Sequence, residues 1–491
     1  MRTADAQGHG NDRPVEACGL FGVYGVPHAA QRIYQGLFSL QHRGQEGAGI
    51  AVSDGRRVRY VRGLGLVSEV FHRHGFDELV GNIGIGHVRY STTGSPLLQN
   101  VQPLVVECID GFWAIAHNGN LVNAQALRQM YQESGAIFQT STDSEVLVHL
   151  LADPMYRSRP RRVARALGEL VGAFAFVIMT RDCVMAARDP LGFKPLSIGK
   201  LDKGLVFASE TCALAQIGAE FVRDVFPGEL VVADETGLHS SLFAEASSSR
   251  RAQCIFEHVY FARPDSRIFG EGVHDIRCKL GLRLAQESPA DADVVIPVPD
   301  SGNSSALGYA RGSGIPLDYG FIRNHYVGRT FIMPEAAERS ASVDMKLAVV
   351  TSVVQGRRVV VVDDSIIRGT TARRRVAWLR QAGAREVHVR ISCPPTSHPC
   401  FFGIDFPTRE ELIAGTRAVE GIREYIGADS LCYLSLEGLL SVFRAPHEYC
   451  TACFSGDYPV DVRNMAGKYA LEYNTPLLNF GDPAEEAAAA P

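Results

Sequence analysis

The stretch of residues 359–371 constrains the fold of this chain more than any other part of its sequence. Four consecutive valines predict a strand that is buried on both faces, as in a parallel sheet covered by helices. Two acids, Asp363 and Asp364, end the strand, and a loop of hydroxyl residues and glycine then opens a helix. Backbone N–H groups and the positive helix terminus would converge there, which suits a phosphate. The loop lacks the Gly-Lys-Ser/Thr ending of a P-loop, so a nucleoside triphosphatase is disfavoured.

The pattern of predicted strands and helices changes at residues 244–251, where three consecutive serines predict a linker. Before the linker, short β-rich runs and helical patterns predict packed sheets and helices of the α+β class. After it, strands alternate with helices, which predicts an α/β domain with a parallel sheet. We therefore expect a leader over residues 1–17, domains over residues 18–243 and 252–470, and a C-terminal tail over residues 471–491.

Apolar periodicity predicts the elements of the second domain. The predicted helices are residues 274–287, 304–311 and 370–382, and the predicted strands are residues 294–298, 317–321, 358–362 and 386–391. In the first domain, a strand over residues 112–117 is followed by a predicted helix over residues 121–134.

Composition and charge exclude several classes of function. The 491 residues include 49 Lys and Arg against 54 Asp and Glu, so no basic surplus points to a nucleic-acid partner. No apolar run reaches the length of about 18 residues that a membrane helix needs, and the polar start of the chain lacks the apolar centre of a secretory signal. The 11 scattered cysteines therefore indicate reduced thiols, catalytic groups or metal ligands rather than a disulfide framework. We expect a cytoplasmic protein that acts on small molecules and binds neither nucleic acid nor membrane.

Cys18 directly follows the polar leader and opens a glycine-containing strand pattern. Taken alone, a cysteine in such a strand is most simply a buried structural thiol. Polar clusters follow at predicted strand ends, where binding groups usually stand. These clusters are residues 87–94, 117–120 and 141–145. In this order, Cys18 and the clusters resemble the glutamine amidotransferase domain of the N-terminal nucleophile type, which has an αββα sandwich fold.

That resemblance implies cleavage between Ala17 and Cys18, so that the thiol and a free α-amine belong to one residue and the amine can act as general base. The thiolate would attack the side-chain amide of glutamine, form a thioester and free ammonia. The side chain of Asn118 and the backbone N–H of Gly119 match the positions of the oxyanion hole. An Asn-Gly pair can also be simply a hairpin turn, and this alternative stays open.

The same resemblance assigns four further residues to the glutamine pocket. Arg89 would hold the carboxylate of the substrate, and Asp143 would hold its α-ammonium group. Arg43 and Gly44 match positions that line the pocket. Each has a simpler interpretation, since a lone arginine is usually a solvated surface group and Asp143 could be a helix N-cap.

Residues 359–371 resemble the phosphoribosyl pyrophosphate signature of type I phosphoribosyltransferases. In that family the paired acids, here Asp363 and Asp364, contact magnesium and ribose. The phosphate loop matches Ser365, Gly369, Thr370 and Thr371. Strand-end acids and threonine caps also occur in other α/β folds, which is the alternative interpretation.

Two more segments of the second domain match the same family. Residues 298–302 end a predicted strand with small polar residues, and Ser301 matches a further Mg²⁺ position. Residues 323–334, with Arg329 and Thr330, resemble the mobile loop that closes over the substrate. The resemblance implies Mg²⁺, which prefers oxygen ligands and usually binds through substrate phosphates and few carboxylates.

A glutaminase joined to such a site resembles the amidophosphoribosyltransferase family of pentosyltransferases. The resemblance implies that ammonia displaces pyrophosphate from C1 of phosphoribosyl pyrophosphate and gives 5-phosphoribosylamine, the first committed step of purine (IMP) biosynthesis. It also implies an internal channel for ammonia, a homotetramer and feedback inhibition by purine nucleotides.

The cysteines of the second half leave three interpretations open: core thiols, a zinc site or an iron–sulfur site. Cys450 and Cys453 form one CxxC pair, which is only moderate evidence for a metal. One branch of the family carries a [4Fe-4S] cluster, and its four ligands match Cys254, Cys400, Cys450 and Cys453. Cys393 is a possible rival ligand.

Two other functions compete with this interpretation. A regulatory protein could use a degraded phosphoribosyltransferase fold to bind purines or ribose phosphate, but Cys18 and the intact acid pair disfavour it. A glutaminase could instead feed a sugar-phosphate isomerase domain, which the sequence Asp363-Asp364-Ser365 disfavours.

Overall fold

The computed structural model describes residues 18–90, 97–109, 111–153, 159–244, 251–324, 347–406 and 408–462. The predicted leader and C-terminal tail lie outside the described residues. So do most of the predicted linker and loop, including Arg329 and Thr330.

The first half contains two antiparallel sheets. Their strands are β1 Gly19–Tyr24, β2 Gly47–Ser53, β3 Val58–Leu64, β4 Ile83–Arg89, β5 Leu104–Cys108, β6 Gly111–Leu121, β7 Gly172–Met179, β8 Val184–Arg188, β9 Ser197–Leu201, β10 Gly204–Ala208, β11 Glu220–Asp224, β12 Glu229–Asp234 and β13 Gly237–Leu242. One sheet has the order β11-β9-β10-β1-β4-β2-β3 and the other the order β13-β12-β8-β7-β6-β5. The accompanying helices are α1 Ala29–Ser39, α2 Val67–His74, α3 Ala124–Glu133, α4 Glu145–Ala152, α5 Arg159–Gly168 and α6 Thr211–Gln216.

The alternation of side chains along β7 shows how the layers pack. Ala175 and Val177 belong to the core between the two sheets. Phe174 and Phe176 point the opposite way and pack with Leu147 of α4 in the outer layer. Successive strand residues face opposite sides of a sheet, so a strand that is apolar throughout needs cover on both faces. The result is the predicted helix–sheet–sheet–helix sandwich.

The second half is built on a parallel sheet with the order β17-β20-β21-β22. The remaining strands are β14 Gln253–Cys254, β15 Arg267–Ile268, β16 Glu271–Gly272, β17 Val294–Pro297, β18 Phe321–Arg323, β19 Leu347–Val349, β20 Arg358–Asp363, β21 Glu386–Ile391, β22 Ser430–Tyr433 and β23 Tyr449–Cys450. The helices are α7 Val273–Glu287, α8 Asn303–Ser313, α9 Thr351–Val354, α10 Thr370–Gln381, α11 Ile413–Thr416, α12 Val419–Ile426, α13 Leu436–Ser441 and α14 Ala452–Ser455, with a π-helical turn at Glu257–Phe261.

Several predicted bounds differ from the observed ones, and two of these differences have a clear physical reason. Residues 317–321 do not form a strand of the parallel sheet, since only Leu317 makes an isolated bridge to Val295. Gly320 instead lies so close to Ile296 that a Cβ would approach it to 2.6 Å, and the chain then turns into β18, which pairs with β19. The helix predicted from residue 121 begins only at Ala124, because β6 stays paired with β7 through Leu121.

The two halves contact each other through β6. Asn120 Nδ2 donates to the Phe401 carbonyl at 3.0 Å. A Cβ built on Gly403 would lie 2.9 Å from the Cα of Gly119, so the two backbones are nearly in contact. Among the described residues, no helix is long and apolar enough to cross a membrane.

Candidate active sites

Cys18 lies at the start of β1, beside the end of β4. Gly19 pairs with Val88, which brings the thiol next to Arg89 and Tyr90. The Cys18 Sγ lies 3.6 Å from the Tyr90 carbonyl, and the residue is 6% exposed. Burial raises the pKa of the Cys18 thiol, and the charge of Arg89 opposes that rise. The thiol therefore needs a base to become a nucleophile.

Asn118 is fully buried, and neither its amide nitrogen nor its amide oxygen has a hydrogen-bond partner among the described residues. Its neighbour Gly119 has φ +145°, and a Cβ there would come within 2.0 Å of the Ala173 carbonyl. Asn118 and Gly119 pair with Ala175 and Phe174 inside the β6–β7 ladder. They are therefore strand residues, and the hairpin-turn interpretation does not hold.

A buried polar contact joins the two sheets behind these residues. His87 pairs with Leu20 of β1, and its Nε2 lies 3.1 Å from the carbonyl oxygen of His117. Burial lowers the pKa of His87 to about 3, so the ring is neutral at pH 7. Since His117 directly precedes Asn118, this contact brings the start of β1 and the oxyanion candidate to the same end of the sandwich.

Asp143 is buried before α4, and its carboxylate turns toward β6. Its Oδ2 accepts the backbone N–H of Leu121 at 2.9 Å, and its Oδ1 accepts the Ser144 hydroxyl at 3.2 Å. Burial alone would raise the pKa of Asp143, but His117, 3.6 Å away, and these donors hold it below its ordinary value. The side chain does not cap α4, so the N-cap interpretation does not hold.

Arg89 and Gly44 lie together, whereas the guanidinium of Arg43 forms buried ion pairs. Arg89 is buried and donates to the Asn100 carbonyl at 2.9 Å. A Cβ on Gly44 would lie 2.6 Å from the Arg89 carbonyl carbon, so the backbones are in close contact. Arg43 is ion-paired with Glu210, and its Nη2 also donates to Glu257 of the second half at 2.5 Å.

These ion pairs belong to a buried network that sequence reasoning missed. Glu257 lies 3.8 Å from the ammonium group of Lys194, which donates in turn to the Gly403 carbonyl at 3.4 Å. Burial alone would raise the pKa of Glu210, but Arg43 and His42 hold it well below its usual range. The members come from distant parts of the chain, so no local spacing could have identified them.

Asp363 and Asp364 end β20 as predicted. Ser301 Oγ lies 3.4 Å from Asp363 Oδ1, because the loop after β17 approaches the end of β20 closely. A Cβ on Gly302 in that loop would lie 2.4 Å from the Val362 carbonyl. Burial and the neighbouring Asp363 raise the pKa of Asp364 to about 7.

The predicted phosphate loop follows directly. The Ser365 hydroxyl donates to Asp364 Oδ1 at 2.5 Å. Gly369 has φ +82° and precedes α10, whose first turn contains Thr370 and Thr371. A Cβ on Gly369 would lie 2.6 Å from the side chain of Ile413, so both its conformation and its surroundings require glycine here. The N-terminus of α10, the kind of position at which anions bind, therefore follows the acid pair closely in the chain.

Arg375 was not assigned a role from the sequence. It lies one and a half turns into α10, is 7% exposed and forms an ion pair with Asp363. The signal that could have identified it is a charged residue on the apolar face that Val376 and Leu379 define.

The four cysteines of the proposed cluster line one cavity, which encloses an empty volume of about 360 Å³, part of it open to solvent. They are Cys254, Cys400, Cys450 and Cys453. Among the described residues, no group of three or more His, Cys, Asp or Glu side chains is arranged so that it could hold a single metal ion. Four cysteine thiolates are the usual ligand set of a [4Fe-4S] cluster, so the cysteines that line the cavity fit that group in kind and number.

Two contacts position these thiols. Cys254 of β14 pairs with Cys450 of β23 in a parallel bridge, and Phe402 N–H donates to Cys400 Sγ at 3.3 Å. Burial raises the pKa of the Cys254, Cys400 and Cys453 thiols, as is usual in apolar surroundings. The rival, Cys393, is not among the residues that line this cavity. It is buried near both Cys453 and the acid pair and donates to the Pro394 carbonyl at 3.2 Å.

Comparisons with known proteins agree with this geometry. A family pattern described as the glutamine amidotransferase domain matches residues 87–216. The amidophosphoribosyltransferase of Bacillus subtilis (strain 168) is 50% identical over 453 residues, which cover 91% of this chain and 95% of the relative. The amidophosphoribosyltransferase of Methanocaldococcus jannaschii is 48% identical over 462 residues, which cover 91% of this chain and 98% of the relative.

Two solved structures are similar over nearly the whole chain. The glutamine phosphoribosylpyrophosphate amidotransferase from B. subtilis, complexed with ADP and GMP, has a TM-score of 0.87 and 48% identity, and the match covers 92% of this chain and 100% of that chain. A structure described as the allosteric regulatory enzyme of purine biosynthesis has a TM-score of 0.88 and 49% identity, with 92% and 99% covered.

The fold and its two sites define a glutamine amidotransferase joined to a phosphoribosyltransferase. The chain belongs to the amidophosphoribosyltransferase family, the glutamine-dependent pentosyltransferases of the first step of purine biosynthesis. The fold classes and the activity predicted from the sequence are thereby confirmed.

Proposed function

We propose that Cys18 is the nucleophile that releases ammonia from glutamine, and that residues 363–371 bind the phosphoribosyl pyrophosphate that receives it. The observation that carries this proposal is the buried amide of Asn118, which has no hydrogen-bond partner among the described residues. A buried amide without a partner is costly unless it serves a ligand. The oxyanion of a tetrahedral intermediate on Cys18 is such a ligand, and the backbone N–H of Gly119 would be the second donor.

The glutamine half of the reaction follows from the charges near the thiol. The Cys18 thiolate attacks the side-chain amide carbon, ammonia leaves, and water hydrolyses the thioester to glutamate. The α-amine of Cys18, free once residues 1–17 are removed, accepts the thiol proton and passes it to the departing nitrogen, which leaves as ammonia. Arg89 and Asp143 both act electrostatically on Cys18 and carry opposite charges, which match the carboxylate and the ammonium group of glutamine. Gly44 and Arg43 complete the pocket wall.

At the second site, ammonia displaces pyrophosphate from C1 and forms 5-phosphoribosylamine. The N–H groups and hydroxyls of the loop bind the 5-phosphate; its residues are Ser365, Gly369, Thr370 and Thr371. Ser301, Asp363 and Asp364 supply the oxygen ligands that suit Mg²⁺. Magnesium, when bound, neutralises charge on the departing pyrophosphate. Arg329 and Thr330 belong to the segment that we propose closes over the substrate, and an internal channel delivers the ammonia.

The decisive experiment compares Cys18→Ala with a matched thiol variant, Cys108→Ala, on the outer strand β5. Cys18→Ala is expected to lose glutamine-dependent formation of pyrophosphate and removal of the leader, yet to keep synthesis from added ammonia. Cys108→Ala is expected to keep both activities. If Cys18→Ala still uses glutamine, the nucleophile is misassigned, and if the wild-type protein releases no pyrophosphate, the acceptor is wrong.

We also propose that the four cavity cysteines hold a [4Fe-4S] cluster. Four cysteine thiolates are the usual ligand set of such a cluster. The pairing of β14 with β23 joins the start of the second half to a strand near its end, which supports a structural role for the cluster. The cluster would tie the end of the chain to the catalytic body. Anaerobically prepared protein should contain about four iron and four sulfide per chain. Zinc, or no metal at all, would contradict the assignment.

Regulation and assembly form the last part of the proposal. A relative's structure contains ADP and GMP, which supports purine nucleotides as feedback inhibitors of this chain. None of the 11 cysteines, all of which lie in the described residues, forms a disulfide bond, in keeping with a reducing, cytoplasmic location. We propose a homotetramer whose subunits have domains over residues 18–243 and 252–470. Inhibition by ADP or GMP and the sedimentation mass of the native protein test these two points.

A further inference from the structure

Arg375 forms a buried ion pair beneath the phosphoribosyl site. The residue is 7% exposed, lies on the inner face of α10 and directs Nη1 to Oδ2 of Asp363. A buried arginine is tolerated only when its charge is paired. The first turn of α10 contains Thr370 and Thr371 of the predicted phosphate loop. The ion pair therefore links this helix to the end of β20.

Protein groups contact both carboxylate oxygens of Asp363. Arg375 takes Oδ2, and Oδ1 lies 3.4 Å from the Ser301 hydroxyl and 3.0 Å from the backbone nitrogen of Asp364, which donates to it. The contacts of Asp364 differ, since its Oδ1 accepts the hydroxyl of Ser365 at 2.5 Å. The positive charge of Arg375 is therefore paired with Asp363 rather than shared equally by the two acids.

We propose that Arg375 is a positioning residue: it offsets the charge of Asp363 and fixes the orientation of its carboxylate, so that the acid pair is held in place for the pentose and its metal ion. This inference rests on the proposed function of the acid pair. It assigns a role to a helix residue that lies outside the sequence motif.

Electrostatics give the expected effect. Two adjacent buried carboxylates repel each other, and their combined charge also repels the phosphates of the substrate. Arg375 removes one of these charges and fixes the orientation of Asp363. Without Arg375, the site would be more negative and its first acid would be free to rotate. Binding of phosphoribosyl pyrophosphate should then weaken more than the chemical step slows.

The test is a double-mutant cycle measured with ammonia as nitrogen donor, which isolates the second site. Arg375→Met is expected to raise the KM for phosphoribosyl pyrophosphate about tenfold while kcat falls less than about threefold. In an Asp363→Asn background the same substitution should change neither constant, because Arg375 acts through Asp363. Arg375→Lys should give an intermediate KM, and it carries the test if Arg375→Met folds poorly.

The matched control is Arg374→Met, at the exposed neighbouring position of α10, which should leave KM unchanged. A merely structural role would lower kcat and thermal stability and give effects that add to those of Asp363→Asn. That additivity overturns the inference. If the wild-type protein does not convert phosphoribosyl pyrophosphate, or if Asp363→Asn is fully active, the proposed function of the pair fails instead.

Discussion

At the scale of single residues, the most informative feature is an amide that the fold leaves unsatisfied. Asn118 is fully buried without a hydrogen-bond partner among the described residues, whereas the equally buried Asn100 exchanges hydrogen bonds with Ser141 at 2.9 and 3.1 Å. Unsatisfied buried polar groups lower stability. Natural proteins keep such groups mainly where function requires them.

This contrast predicts that substituting the two asparagines will change the free energy of unfolding in opposite directions. Asn118→Leu removes an unpaired amide from an apolar environment and should raise the free energy of unfolding by about 1 kcal/mol, while glutamine-dependent activity falls about 100-fold. Asn100→Leu breaks two hydrogen bonds and should lower stability by about 2 kcal/mol. Thermal unfolding and a glutamate assay measure both effects. A destabilised Asn118→Leu protein would mean that the amide has a structural partner.

Motifs identify residues whose role depends on local chain geometry, such as Asp363 before its loop or Gly119 beside Asn118. They do not identify Arg375 or Glu257. Each of these buried charges is paired with an oppositely charged side chain that only tertiary folding brings close. The sequence shows that such a residue is charged but not which group will pair with it.

At the scale of elements, strand and helix positions follow the apolar pattern where burial is continuous. The run of valines in β20 is buried on both faces and is predicted correctly. The short strand β22, Ser430–Tyr433, is not predicted, because it has only four residues and contains polar side chains. Its pairing with β21 is supplied by the sheet rather than by its own pattern.

The contact between β6 and the segment that follows Cys400 gives the second prediction. Gly403 has φ +92°, and its Cβ would meet the Cα of Gly119 at 2.9 Å. Gly403→Ala should therefore push β6 away at Gly119, a proposed oxyanion donor, and lower glutamine-dependent activity by at least about tenfold, with ammonia-dependent synthesis retained. Both activities are measured on the same preparation.

The control for this substitution is another glycine of positive φ. Gly427 has φ +74°, but among the described residues no atom beyond its own stretch of backbone lies within 4 Å of the position that a Cβ on it would take. Gly427→Ala should cost only the backbone strain of about 1 to 2 kcal/mol and leave the ratio of the two activities unchanged. If both variants change that ratio equally, strain rather than the contact with Gly119 is responsible.

At the scale of the whole molecule, the sequence predicts two catalytic halves but not how they meet. Glu257 of the second half contacts Arg43 and Lys194 of the first, and all three side chains are essentially buried. Lys194 in turn donates to the carbonyl of Gly403, which lies beside Gly119 of β6. The glutamine pocket, the interface and the cysteine cavity therefore share one connected set of contacts.

Glu257→Gln tests whether this set couples the two reactions. The substitution leaves Arg43 and Lys194 buried with one carboxylate fewer and should lower stability by about 3 kcal/mol or more, as breaking a buried ion pair does. It should also disturb the pocket wall at Arg43, so that glutamate forms in excess of pyrophosphate. The ratio of the two products, measured under saturating substrates, is the readout. Glu420→Gln, which alters an exposed ion pair with Arg423, is the matched control and should keep the two products equal. If Glu257→Gln also keeps them equal while its stability falls, the network holds the halves together without coordinating their chemistry.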